Sequence, residues 1–323
     1  MIKQVVLAAL VALASAAALA QDFVGTITIL EGTALVYRGA GRVHAAEGIR
    51  IVSTDLVEMG ASGFMQIELP DKTTLQLGPR SRAMFSASPA RAKPERSIYA
   101  LDGWFKVAAD RRDAKAGPGL ELRSALIDVP AQDGALVIKI AATDVAAFAE
   151  VAESKLLERH GAGPPVQVTL KLGDFYQRKG AAKGAIDPGA RGPFLSEMPA
   201  VFKDSLPSRI ERYREKPFTP KEASEFSYAD VEHWLKSGPA LRKQFVQRWR
   251  AKAAEPTFRT ALMANLNAHP EWDPVLFPEK YVAKPVDPPA ETQQSGTSRV
   301  IPANPSPRPL SPAPVQSLPP PTQ

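Results

Sequence analysis

From Phe23 to about Gly180 the chain alternates apolar and polar side chains with a period of two. Met65-Gln66-Ile67-Glu68-Leu69 shows it clearly, and Thr73-Thr74-Leu75-Gln76-Leu77 repeats it beyond a Pro70-Asp71-Lys72 turn, which predicts a hairpin. Successive strand side chains point to opposite faces, so Met65, Ile67, Leu69, Leu75 and Leu77 gather on one side. Gln66, Glu68, Thr74 and Gln76 fall on the other, which is expected to be wet. Residues 166–172 (VQVTLKL) repeat the pattern, as do Leu136, Ile138 and Ile140 with Ala135, Val137 and Lys139 opposite. Glycines at 25, 32, 48, 60, 63, 78, 103, 134 and 173 punctuate these runs and read as turns. Many short strands with frequent turns predict an all-β domain.

Residues 188–196 (PGARGPFLS) interrupt that period, and a helical one follows. Thr219-Pro220-Lys221-Glu222 has the form of a capping box, and Ser227 opens a second short helix that ends at Gly238-Pro239. Leu241, Phe245 and Trp249 recur every four residues on one face of a third helix. Phe258, Leu262 and Leu266 do so on a fourth, from near Pro256 to before Pro270. Trp234, Phe245, Trp249, Phe258, Trp272, Phe277 and Tyr281 supply the apolar area a small bundle needs. Residues 143–159 (TDVAAFAEVAESKLLER) favour a helix by propensity alone.

Composition changes the picture at both ends. Of the 31 prolines, 12 lie in residues 285–323, where Ser, Thr, Ala and Gln make up much of the rest, so no core can form there. A disordered tail biased to polyproline II is expected. At the start, Lys3, the apolar run 5–14 (VVLAALVALA) and Ala18-Leu19-Ala20 form a secretion signal, with cleavage after Ala20. The apolar stretch is barely long enough to cross a bilayer, which takes about 20 residues. Removing residues 1–20, and Lys3 with them, lowers the formal net charge from +6 to +5, an excess too mild for a nucleic-acid partner. There is no cysteine, which excludes disulfides, thiolate catalysis and Cys-based zinc or iron–sulfur sites.

Residues 23–107 also carry a more specific pattern. It runs through Val24-Gly25, Gly32 with Val36-Tyr37-Arg38, Gly48, Asp55 and Ala61-Ser62-Gly63. It continues with Asp71 and Leu75-Gln76-Leu77, Pro79-Arg80-Ser81, and Leu101-Asp102-Gly103-Trp104. In this series the chain resembles the FecR domain family, and Leu170-Lys171-Leu172-Gly173-Asp174-Phe175 is similar to the strand and glycine turn that close such regions. Lys72 stands where the family's hairpin has Gly, and Pro130-Ala131-Gln132-Asp133-Gly134 lies near the place of its Arg-Gly-Thr element. The resemblance implies strands across residues 143–159 and a periplasmic β domain that serves as a protein-interaction or scaffolding module. The cytoplasmic sigma-factor-binding segment and spanning helix of signalling FecR proteins have no counterpart here.

Catalytic signatures are sparse. His44, His160, His233 and His269 are far apart and form no His-Glu-x-x-His pattern. No Gly-x-Ser-x-Gly elbow or phosphate-binding loop occurs. Glu68 with Asp71, or Asp102 with Asp110, are the candidate carboxylate pairs for glycan hydrolysis, though charges on a wet sheet face are more simply solvated. Arg242, Lys243, Arg248, Arg250 and Lys252 surround the line Leu241, Phe245, Trp249 and are candidate contacts to an acidic partner or an anionic membrane. Tyr37, Tyr99 and Trp104 could stack on sugars, although burial suits Trp104 better.

The sequence therefore predicts a mainly β protein in four parts. These are a signal peptide (1–20), a FecR-like β domain (21–182), an α-helical module (194–284) and a proline-rich tail (285–323). The expected function is non-enzymatic protein binding or scaffolding in the cell envelope, periplasmic, with no cofactor and no metal. Alternatives are a sensing component of a signalling relay, or a glycan-binding or glycan-hydrolysing protein.

Overall fold

The computed structural model describes residues 23–88, 95–110, 119–161, 163–214 and 218–281. The chain divides into a unit ending at Tyr281 and another from Val282 onward. The expected secretion signal and the expected disordered tail lie outside the described residues. Among those residues no helix is long and apolar enough to cross a membrane.

Among the described residues fifteen strands form one sheet. The first seven are β1 (Phe23–Arg38), β2 (Gly41–His44), β3 (Arg50–Val52), β4 (Leu56–Glu68), β5 (Thr74–Leu77), β6 (Arg82–Ser88) and β7 (Glu95–Ala109). Then come β8 (Leu120–Arg123), β9 (Ile127–Val129), β10 (Gly134–Ile140) and β11 (Asp144–Val151). The last are β12 (Ser154–Glu158), β13 (Val166–Leu170), β14 (Asp174–Lys179) and β15 (Ala185–Pro188). One path runs β13-β12-β9-β8-β7-β10-β11-β14-β15, and β5 and β6 join β7 to β4 and hence to β1, β2 and β3. Every pairing is antiparallel except β7 with β8, where Arg96–Tyr99 lie beside Leu120–Arg123.

The long strands change partners partway along. Gln76 and Leu77 of β5 sit against Lys106 and Phe105 of β7, whereas Met84 and Phe85 of β6 sit against Tyr99 and Ile98. Between these stretches the register shifts, and Gly103 takes φ +107°. A Cβ there would lie 2.4 Å from the Ser81 Cα. Ser81 Oγ in turn accepts from the Trp104 N–H and donates to the Trp104 carbonyl, both at 2.9 Å. The result is a β-bulge that reverses which alternate residues face inward. Ile98 and Ala100 point into the core before it, and Phe105 after it. Gly32, Gly63 and Gly103, expected at turns, lie inside strands beside such irregularities.

Side chains from β1 through β14 meet in one apolar cluster, among them Val24, Ile67, Leu75, Phe105, Leu122, Ile138, Leu156 and Tyr176. That cluster is a continuous interior to which strands along the whole path contribute. Residues 143–159 contribute as strands β11 and β12, because alternate Val145, Ala147 and Ala149 are needed in that interior. Burial there overrides helix propensity.

The helices are α1 (Gly192–Glu197), α2 (Tyr228–Leu235), α3 (Pro239–Arg248), α4 (Pro256–Ala264) and α5 (Asp273–Leu276), joined by short 3-10 turns. Leu241, Phe245 and Trp249 are buried together as their spacing predicts, with Phe245 and Trp249 stacked at 4.6 Å. Their cluster also contains Tyr37, Leu56 and Met84 of the sheet. The helix expected from the Thr219 capping box does not form. Residues 221–223 run extended along β2 instead: the His44 N–H donates to the Lys221 carbonyl at 2.9 Å and the Ala223 N–H to the Arg42 carbonyl at 3.1 Å. An open strand edge offers these backbone groups direct partners. The capping box that forms is one step later, with Ser227 and Asp230 opening α2.

The expected wet face is also overturned. Gln66, Glu68 and Gln76 are 1%, 2% and 5% exposed. A strap from α1 to about Arg209 covers them, with Phe194, Met198 and Phe202 lying over Ile29, Phe64, Trp104, Val137 and Phe175 of the sheet. Strand alternation divides the faces but does not reveal what is packed on the second one.

Candidate functional site

The strap follows the chemistry of the face beneath it. Its apolar half covers apolar sheet residues, and its continuation crosses a row of polar ones. Gln66, Gln76 and Lys106 are cross-strand neighbours on β4, β5 and β7. The Gln76 amide donates to Gln66 Oε1 at 3.1 Å, and the Gln66 amide to Glu68 Oε1 at 3.2 Å. Glu68 then anchors the strap by accepting from the Ser208 hydroxyl and, at 2.8 Å, from the Arg209 N–H. Burial pushes the Glu68 carboxyl up, but these donors outweigh it and hold the group below the usual carboxylate range. Lys106, 7% exposed, donates to the Phe202 carbonyl at 2.5 Å and pairs with Glu150 at 2.6 Å.

The strap leaves a cleft of about 930 Å³ beside this row. Gln66, Thr74, Gln76 and Lys106 line it from the sheet, together with Ala108 and Ala135, whose small side chains leave room. Glu150 and Val151 form one wall, and residues 203–206 of the strap the other. Gln76 Oε1 is buried with no hydrogen-bond partner among the described residues. An unmet buried acceptor costs about 1–3 kcal/mol. A second groove of about 1,100 Å³ opens on the far side of the strap, and Lys72 and Thr74 line both.

The candidate carboxylates are tied up singly. Asp71 accepts from the Thr73 N–H at 3.1 Å and the Gly119 N–H at 2.8 Å. Asp102 pairs with Arg82 at 2.8 Å, and burial, opposed by Arg82, raises its carboxyl. Asp110 lines the cleft.

The five basic candidates divide. Arg242 pairs with Glu271 at 2.7 Å. Arg248 donates to the carbonyls of Gly39, Thr54 and Tyr37, and burial pulls its guanidinium down to about 10. Lys252 is 5% exposed between Glu225 and Glu255. Only Lys243 and Arg250 of the five are exposed. Thus three of these side chains join the helices to the sheet or to one another.

The aromatic candidates are covered as well: Tyr37 and Trp104 are buried and Tyr99 is half-buried. His233 Nε2 lies 2.5 Å from Glu58 Oε1, which also accepts from the Trp234 indole at 2.7 Å. Among the described residues no three His, Asp or Glu side chains come together as a metal site. The row of Gln66, Gln76 and Lys106 was not singled out from sequence. Its only signal is that three polar residues recur at outward positions of strands whose inward neighbours are all apolar.

The architecture is that of a mainly β protein of many strands with a small helical region. No family model and no curated protein sequence matches the chain. Two crystal structures of a "putative anti-sigma factor" from Parabacteroides distasonis ATCC 8503 are similar to part of it. Both are 12% identical, with TM-scores of 0.34 and 0.33, and the match covers 42% of this chain and 59% of that chain. A likeness of that extent carries nothing about activity.

Proposed function

We propose that this is an exported, non-enzymatic protein of the cell envelope, built on a FecR-like β scaffold, that binds a protein partner along the open edge of its sheet. The observation behind this reading is β13. It ends the strand path, and on it and just beyond it Val166 and Leu172 are 47% and 65% exposed. A strand edge presents unpaired backbone donors and acceptors, and a partner's extended segment gains affinity from them and specificity from alternate side chains. The opposite situation holds at β2, whose edge the chain covers with its own residues 221–223. Affinity capture from envelope extract tests the reading. The wild-type chain should retain a protein that the exposed-site variant Val166→Asp/Leu172→Asp loses. Equal capture by both, or no specific capture by either, rejects it.

A further inference from the structure

The cleft beside the strap is a separate surface from the β13 edge, and its chemistry points elsewhere. Donors and acceptors both line it: the Gln66 and Gln76 amides, the Thr74 hydroxyl, the Lys106–Glu150 pair and, on the strap, Asp204 and Ser205. Ala108, Ala135, Val151 and Leu206 place aliphatic surface between them. Among the described lining residues the charges nearly cancel, with three lysines against four carboxylates, and the most buried lysine, Lys106, is already satisfied by Glu150 and the Phe202 carbonyl. A cleft with no dominant sign of charge does not select an ion. Closely spaced polar groups of both kinds beside C–H surface match a molecule that carries many hydroxyls on a carbon frame. The volume of about 930 Å³ is within the range of small-ligand sites. The polar floor is also preorganised, because Gln66 and Gln76 are held on adjacent strands by their mutual hydrogen bond, while Gln76 Oε1 has no partner among the described residues.

We infer that this cleft binds a neutral oligosaccharide. The inference rests on the chain being a binding module, but on a different face from the one assigned to a protein partner. Isothermal titration calorimetry of the full chain with maltotetraose, cellotetraose, mannotetraose and chitotetraose tests it, with tetragalacturonate as a charged control. At least one neutral tetrasaccharide should bind. Asp204→Ala/Ser205→Ala, which alters exposed strap positions, and Ala108→Phe, which fills the cleft, should each weaken that binding at least tenfold. Val166→Asp/Leu172→Asp should leave it unchanged, so loss of the protein partner and loss of the sugar are separable. No heat with any neutral sugar, tighter binding of tetragalacturonate, or full binding retained by the strap variant overturns the inference.

Discussion

At the residue scale, the polar groups buried in this protein divide into those that are satisfied and those that are not. His269 is 0% exposed; its Nε2 is 3.2 Å from the Tyr228 hydroxyl, while Nδ1 has no partner. Burial holds the imidazole below its ordinary value of 6.5. Above that pH neither the folded nor the unfolded chain carries the proton, and the group is silent. Below it the unfolded chain takes up a proton that the folded chain refuses, so stability falls as pH falls. Urea melts from about pH 8 to about pH 5 should show the midpoint dropping below the unfolded value, and His269→Phe should flatten the drop. Identical profiles for the two proteins would remove His269 as the cause. The aromatic core around it was legible in sequence because Leu241, Phe245 and Trp249 recur every four residues, and helix geometry turns that spacing into one face. Gln66, Glu68 and Gln76 were not, because alternation gives a residue's side of the sheet but not its cover.

At the scale of elements, two short signals competed with tertiary context and both yielded. Residues 143–159 have helix-forming composition, yet inward positions at Val145, Ala147 and Ala149 make them strands. Thr219-Pro220-Lys221-Glu222 has the residues of a helix start, yet the β2 edge supplies its backbone with partners. The hairpin around Pro70-Asp71-Lys72 had no such competitor and forms as read, with Lys72 at φ +66°. Replacing Ala223 by Pro should therefore cost about 1 kcal/mol or more, because it removes the N–H that donates to the Arg42 carbonyl. Thermal denaturation reads this directly. Ala223→Gly keeps the donor and should lose less, and a Pro variant as stable as wild type would show that the edge contact is dispensable.

For the molecule from Phe23 to Tyr281, sheet and helices share their packing. Tyr37, Leu56 and Met84 lie among the aromatics of residues 226–276, and Phe64, Trp104 and Phe175 lie under the strap. A chain ended after Pro188 should expose both patches, so it should bind a hydrophobic dye strongly and aggregate where the intact protein stays monodisperse. A well-behaved, dye-silent fragment would refute that dependence. The β pattern and the helical pattern were each readable, but their shared core was not, since spacing within a segment says nothing about which other segment it meets. Ribosomes deliver this polypeptide from its N-terminal side, so the sheet emerges while its two coverings are still being made. A product that stops before residue 226 would keep those sheet surfaces bare for a proteolytic quality-control system to recognise, so the aromatics of residues 226–276 decide whether the sheet is hidden from it.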